Sequence, residues 1–334
     1  MRRQQPPANY PQDYGAQPPP QQRRTVFILV IALLASLLII SSAMLIRYAS
    51  DYVSSRKGSD DLRKINQQAM AEEMARLAQA TDAPASTSVP SQSLTAQVPA
   101  ATAVPSQAQV ASLPGILPSV RYPTNYYSIV TSRFKKIQGQ NKDIIGWLNI
   151  AGVLDEAVVQ RDNSYYLRRD YKGYHNQNGA IFLDENCNLK TRPYTMILYG
   201  HNMKTGAMFG CLRNFENPTY YHKNPMITFD TAYENGRYII FAVGTISTIQ
   251  GNNKYVNFSK LNSTTVAWRQ EALDQLLKRS VYNCTVDVQP DDQLLLLMTC
   301  VDDSTERRVV AARRVRPGEN EAALISAVKY SILK

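Results

Sequence analysis

Between Thr25 and Ile46 the chain runs 22 residues without a charge, TVFILVIALLASLLIISSAMLI. A helix rises about 1.5 Å per residue, so this stretch is long enough to cross a bilayer. It exceeds the apolar core of a secretory signal, and Ser41-Ser42-Ala43 is a weak cleavage context, so an uncleaved anchor is predicted. Arg2, Arg3, Arg23 and Arg24 precede it, while Arg47, Arg56 and Lys57 follow, which leaves a modest charge bias. One N-terminal span ahead of a large domain predicts a single-pass protein of the cell membrane. Its N-terminus is expected inside and its C-terminal domain outside the cytoplasm.

The flanks differ in kind. Residues 1–24 are rich in Pro and Gln and cannot bury enough apolar surface to order themselves, so a disordered cytoplasmic tail is expected before the 25–46 anchor. In the 47–80 segment, Ser59-Asp60-Asp61 opens a juxtamembrane helix. Leu62, Ile65, Ala69, Met70, Met74 and Leu77 follow it at helical spacing. Residues 81–120 are dominated by Ala, Ser, Thr, Gln, Val and Pro, with Asp82 as the only charge, and read as an extended linker. At about 3.1 Å per residue it could reach on the order of 100 Å. The 37 Lys and Arg outnumber the 27 Asp and Glu, giving a net charge of +10, but the basic residues are scattered and no nucleic-acid motif accompanies them. No nucleic-acid partner is expected; an anionic envelope suits the excess better.

From about Arg121 the pattern changes to short apolar runs. These are Ala157–Gln160, Ala180–Leu183, Thr195–Tyr199, Met226–Phe229, Tyr238–Ser247, Thr285–Val288, Leu294–Thr299 and Val309–Val315. Turn formers separate them, among them Asp162-Asn163, Asn178-Gly179, Asn217-Pro218 and Asn235-Gly236. Many short strands with polar turns predict a mainly β barrel or sandwich over residues 121–318. Helices are expected at Tyr127–Gln138, at Thr264–Arg279 just before the Leu294 strand, and over residues 319–334, mainly Glu319–Leu333.

The chemistry concentrates in Gln293–Val315. The run Leu294–Met298 ends at Thr299-Cys300, a polar loop follows, and Arg307-Arg308-Val309-Val310 opens the next run. A hairpin-like pair would set the Cys300 thiol beside an arginine, and a nearby cation favours the nucleophilic thiolate. A free cysteine at a strand end is equally at home as a small buried hydrophobe. Of the three histidines, His175 and His222 sit in Tyr- and Asn-rich loops, while His201 directly follows the Thr195–Tyr199 run and Gly200. Such a histidine is often structural; beside Cys300 and Arg307 it would complete a proton shuttle. Cys187, Cys211, Cys284 and Cys300 are isolated, with no CxxC or HxxxH, so neither metal nor cofactor is expected. Cys187 and Cys211 could pair outside the cytoplasm or remain free thiols.

Leu297-Met298-Thr299-Cys300 followed by Arg307-Arg308-Val309-Val310 resembles the T-L-x-T-C … R-x-V-V signature of the sortases. Several further segments are similar to class B sortases in order and spacing. They are Ile144–Leu148, Val158-Val159-Gln160, Asp162-Asn163-Ser164-Tyr165-Tyr166-Leu167, Gly179–Asp184, Tyr199–Met203 and Met208-Phe209-Gly210. The likeness covers roughly residues 121–316. It implies a closed sortase β-barrel with N-terminal helices and a helix before the cysteine strand. It also implies transpeptidation. A thiolate cleaves the sorting signal of a secreted surface protein after threonine, and the thioester passes to an amine of a peptidoglycan precursor, a lipid II-type amine, or to a pilin lysine. On this resemblance Cys300 is the nucleophile, His201 the general acid/base and Arg307 the arginine that steadies the carbonyl. Arg308 is its rival, since only one of two neighbours on a strand faces a given side. Asn202 and Thr299 flank the pair, Asp302 matches an acidic position of some members, and Met298 stands where Ser is common. Sharing a strand face with Cys300, Met298 is expected to alter the substrate groove. Signals of the Asn-Pro-x-Thr-Asn type are associated with the class.

Two other readings remain at this level. A cell-wall cysteine hydrolase would use the same pair, although papain-like enzymes place the cysteine before the histidine. A non-catalytic tethered β domain that binds the wall would need neither residue.

Overall fold

The computed structural model describes residues 20–81, 130–300 and 305–334. The linker expected at 81–120 from residue 82 onward, most of the N-terminal tail and Asp302 therefore lie outside the described residues. The chain divides into two units, residues 1–53 and 54–334.

The first unit is the start of helix α1, Pro20–Thr81. From Arg24 onward it is long and apolar enough to cross a membrane. Its apolar side chains are exposed, Phe27, Leu38 and Ile39 among them. Helix α1 already includes residues 20–24 and continues past Ile46 through the juxtamembrane segment. Nothing between Arg47 and Ser59 stops it, since Gly58 alone costs only about 1 kcal/mol.

The second unit is built on eight strands. They are β1 (Ile144–Ile150), β2 (Leu154–Val159), β3 (Ile181–Leu183), β4 (Thr195–Tyr199), β5 (Met226–Thr231), β6 (Arg237–Ser247), β8 (Leu294–Cys300) and β9 (Glu306–Arg314). They close into a barrel in the order β1-β2-β3-β4-β8-β9-β6-β5. The β2–β3 and β4–β8 pairs are parallel and the others antiparallel. Closure leaves no open edge in this sheet. Two-residue strands β7 (Tyr282–Asn283) and β10 (Ile332–Leu333) form a separate ribbon. Helices α2 (Ser132–Gln138), α3 (Pro218–Lys223), α4 (Val266–Arg279) and α5 (Glu321–Val328) complete the unit.

The continuous apolar reading of β8 has a plain cause. Leu294 through Met298 are all buried, because the strand lies mid-sheet between β4 and β9 with both faces covered. The β1–β2–β3 wall is also double-sided. Leu148, Ile150, Val158 and Leu183 face the barrel core. Trp147, Ala157, Val159 and Phe182 join a second cluster with Leu62 of α1 and with Phe134 and Ile137 of α2. Arg133 of α2 stitches these layers together. Its Nη1 donates to Asp230 Oδ2 at 2.6 Å and its Nε to Asn66 Oδ1 of α1 at 2.7 Å, all three residues being buried.

Two expected elements differ. Thr285–Val288 is not a strand; the pairing falls at Tyr282–Asn283 instead. The helix expected to Leu333 ends at Val328, and Ile332 and Leu333 pair with β7. Both of those side chains are exposed, whereas Leu324 and Val328 of α5 pack on the core, so the apolar face is buried only as far as Val328.

Candidate active site

The site forms where β4 and β8 end side by side. Their parallel register matches Leu198 to Leu297 and Tyr199 to Met298, and one more bond, Gly200 N–H to the Met298 carbonyl at 3.3 Å, extends the pairing. The next residue, His201, thus leaves the sheet beside the last residues of β8. Gly200 is required there by close approach: a Cβ would stand 2.9 Å from the Phe209 ring.

The His201 ring is held from the far side. Its Nε2 lies 2.6 Å from the Leu167 carbonyl. A carbonyl only accepts, so Nε2 carries the proton and Nδ1 is the nitrogen left for proton exchange. Leu167 is delivered by a 3-10 turn, Tyr165–Arg168, which Asp162 starts by accepting the Ser164 and Tyr165 N–H groups. Together with a bond from the Ser164 hydroxyl, these hold the Asp162 carboxyl below its ordinary pKa. Gly179 sits against both partners at φ +61, and a Cβ would come 2.7 Å from the Leu167 oxygen and 3.1 Å from His201 Cδ2. Only glycine suits that position.

Beyond His201 the loop is clamped from a 3-10 helix, Phe209–Glu216. Its Arg213 donates to Asn202 Oδ1 at 2.9 Å, to the Met203 carbonyl at 2.8 Å and to the Gly210 carbonyl at 2.8 Å. Asn202 therefore serves the loop; its amide oxygen is engaged by Arg213.

The β8–β9 hairpin sets the arginines. Cys300 is paired with Arg307 and Thr299 with Arg308. Arg307 lines a cleft of about 300 Å³ together with His201, Gly200, Tyr199, Met298 and Thr299. Arg308 instead bonds Glu216 Oε1 at 2.9 Å. The guanidinium of Arg307 is felt by Tyr199. Burial and then the charge of Asp184 push the Tyr199 hydroxyl well above its ordinary pKa, and Arg307 pulls the other way. Asn163, Leu167 and Phe182 complete the cleft. None of these three stood out as a site residue in the sequence, although Asn163 and Leu167 lie in the Asp162–Leu167 motif that carried the resemblance. Cys187 and Cys211 are free thiols bonded to different carbonyls, those of Thr195 and Met208. Burial pushes both thiols up to about 11.

A closed eight-stranded barrel, with a histidine and an arginine on one cleft beside the end of a cysteine strand, is the architecture of a sortase-type cysteine transpeptidase. The family model for the sortase domain matches residues 154–315. Sortase B of Staphylococcus aureus is 32% identical over 192 residues, which cover 56% of this chain and 76% of that protein. Sortase B of Listeria monocytogenes is 31% identical over 198 residues, covering 59% and 77%. Among solved structures, a Staphylococcus aureus sortase B–substrate complex superposes with a TM-score of 0.50 at 29% identity, covering 57% of this chain and 87% of that one. A sortase B complexed with triglycine gives 0.50 at 30% identity, covering 56% and 86%. The chain belongs to the sortase B family.

Proposed function

We propose that the protein cleaves a threonine-containing sorting signal of secreted surface proteins and joins the new acyl end to an amine of the cell wall. Cys300 gives its thiol proton to His201 Nδ1 and attacks the threonine carbonyl, and a C–S bond forms as the carbonyl π electrons move onto oxygen. Arg307 steadies that oxygen; a preorganised donor of this kind is worth roughly 10²–10³ in rate. As the intermediate collapses the C–N bond breaks, and His201 gives its proton to the departing amine. The acceptor amine then attacks the thioester and gives a proton to His201, the C–S bond breaks, and the departing sulfur of Cys300 takes that proton back.

The observation that carries this reading is the shared cleft. His201, just past the end of β4, and Arg307 of β9 reach one space of about 300 Å³, and Arg307 is register-paired with Cys300. The substrate and triglycine complexes of the similar sortase B proteins support a peptide donor and a short glycine peptide as acceptor. We assign a peptidoglycan precursor as the natural acceptor class, with a pilin lysine as the other candidate amine. The apolar start of α1 anchors the chain in the membrane as a single pass, with the barrel outside the cytoplasm.

The test is amine dependence. The full chain in detergent is given a sorting-signal peptide with and without triglycine, and the products are weighed. Transpeptidation predicts a ligated product that displaces the hydrolysed one as triglycine rises. Hydrolysis indifferent to triglycine would mark a peptidase instead, and an unaltered peptide would mark a binding domain.

A further inference from the structure

The His201 ring is held by the Leu167 carbonyl, and that carbonyl is held in its turn. Both of its neighbours along the chain are engaged by residues 176–180. Tyr166 O accepts the Ala180 N–H at 3.1 Å, and Arg168 O accepts the Asn176 N–H at 3.0 Å. Pinned on either side, the turn has Leu167 O left to face His201 Nε2 at 2.6 Å. Asn176 tightens the same segment, its carbonyl accepting the Gly179 N–H at 3.1 Å and its Oδ1 the Asn178 N–H at 2.9 Å. Where residues 176–180 lie thus decides where the ring lies.

Helix α1 lies against that segment. Asn178 is 2% exposed, and its amide donates to Ser55 Oγ of α1 at 3.4 Å. Its Oδ1 is buried with no partner among the described residues. Packing alone would be served better by an apolar side chain, since a buried polar atom left unpaired costs about 1–3 kcal/mol. About one turn along the helix, Gly58 meets buried Tyr171, and a Cβ there would stand 3.3 Å from the ring. One turn further, Leu62 joins Tyr166, Tyr171 and Ala180 in one buried cluster. Spacings of three and four residues put Ser55, Gly58 and Leu62 on a single face of α1. Between the layers is a void of about 20 Å³, room for about one water, lined by Ser55, Gly58, Glu156, Tyr171, Gly179 and Ala180. Gly179 also touches the ring's side, where a Cβ would stand 3.1 Å from His201 Cδ2. One residue therefore separates the void under α1 from the His201 imidazole.

We propose that the juxtamembrane turns of α1 belong to the catalytic apparatus, with Gly58 and Asn178 as positioning residues that hold the His201 ring in one orientation through residues 166–180. The proposal rests on the transpeptidase reading above for what the ring does. With Nε2 bound to Leu167 O, Nδ1 is the nitrogen presented for proton exchange. Moving residues 176–180 away from α1 loosens the Leu167 carbonyl, and the ring is then free to exchange tautomers.

The test reads the imidazole nitrogens by NMR in the full chain in detergent, with isotope-labelled histidine, at about pH 8.5, where an imidazole is neutral. The His201 signals are those lost in His201→Gln. Wild type is expected to show one tautomer, protonated at Nε2. Gly58→Leu pushes α1 off Tyr171, and Asn178→Ala breaks the bond to Ser55. Each is expected to average the ring signals and to lower kcat for a sorting-signal peptide by on the order of tenfold, with KM within about twofold. Gly58→Ala sets one methyl against a ring edge that can yield, and should stay within about twofold of wild type. Asn66→Ala breaks the bond from Arg133 two turns beyond Gly58, lowering stability away from residues 166–180, and should leave the ring signals unchanged. Wild-type ring signals and kcat in either Gly58→Leu or Asn178→Ala overturn the proposal. So does an equal change in Asn66→Ala, the mark of a general loss of stability. The ring signals need no substrate: if wild type cleaves no peptide, the transpeptidase reading falls, and the spectra still decide whether α1 holds the ring.

Discussion

Arg307 and Arg308 are neighbours in sequence and face different surroundings. The alternation of a strand puts one at the cleft and sends the other to Glu216. Their contributions should differ accordingly. Arg307→Ala is expected to lower kcat/KM by roughly 10²–10³, the usual cost of losing a preorganised donor to the reacting oxygen. Arg308→Ala removes a partly exposed ion pair, worth under about 1 kcal/mol, and should leave kcat/KM within about threefold. Peptide cleavage kinetics on the two variants measure both. The position of Cys300, of His201 and of the arginine pair at the ends of strands was legible, because a strand end is a pattern in sequence. The Leu167 carbonyl that orients His201 was not, since a backbone oxygen has no letter of its own. Neither was the capture of Asn163 and Tyr199 by Asp184, which depends on three segments meeting.

At the scale of elements, the same logic explains which strands could be seen. β4 and β8 are buried on both faces and read as apolar runs. β1 was harder, because Gly146 and Asn149 interrupt it; Gly146 lies under the Phe229 ring, where a Cβ would come within 2.5 Å. The packing of the later turns of α1 on the barrel was hidden for another reason. Its apolar positions gave a helix, but nothing in their spacing named the partner surface. That contact covers Glu156, which accepts from Ser59 Oγ at 2.8 Å and lies 3.6 Å from Arg63. Burial raises the Glu156 carboxyl from 4.5 to about 7, with Ser59 and Arg63 opposing the shift and Asp155 and Asp60 adding to it. The folded chain thus binds this proton more tightly than the unfolded chain. The resulting stability is fully present below pH 4.5 and is lost as pH rises through about 7. Glu156→Gln should remove that fall, a difference of about 1–3 kcal/mol between the two proteins across the window. Denaturant midpoints measured at pH 5 and pH 8 on both proteins test it; parallel slopes would contradict it.

For the whole molecule, the sequence divides the work by composition. The uncharged stretch Thr25–Ile46 suits a membrane, and a basic, mainly β domain follows it, carrying a net excess of positive charge that favours an anionic envelope. Within that domain the thiols are sorted by burial. Burial pushes Cys187 and Cys211 up to about 11 and raises Cys284 as well, which disfavours the nucleophilic thiolate at all three. Cys300 is the sulfur on which the proposed covalent chemistry falls. The most direct measurement is the intact mass of the full chain mixed with a sorting-signal peptide in the absence of acceptor amine, followed by peptide mapping. The prediction is one added acyl fragment ending in threonine, held as a thioester on Cys300, absent in Cys300→Ala and released by triglycine. An adduct on Cys187, Cys211 or Cys284, or undiminished turnover by Cys300→Ala, would contradict it.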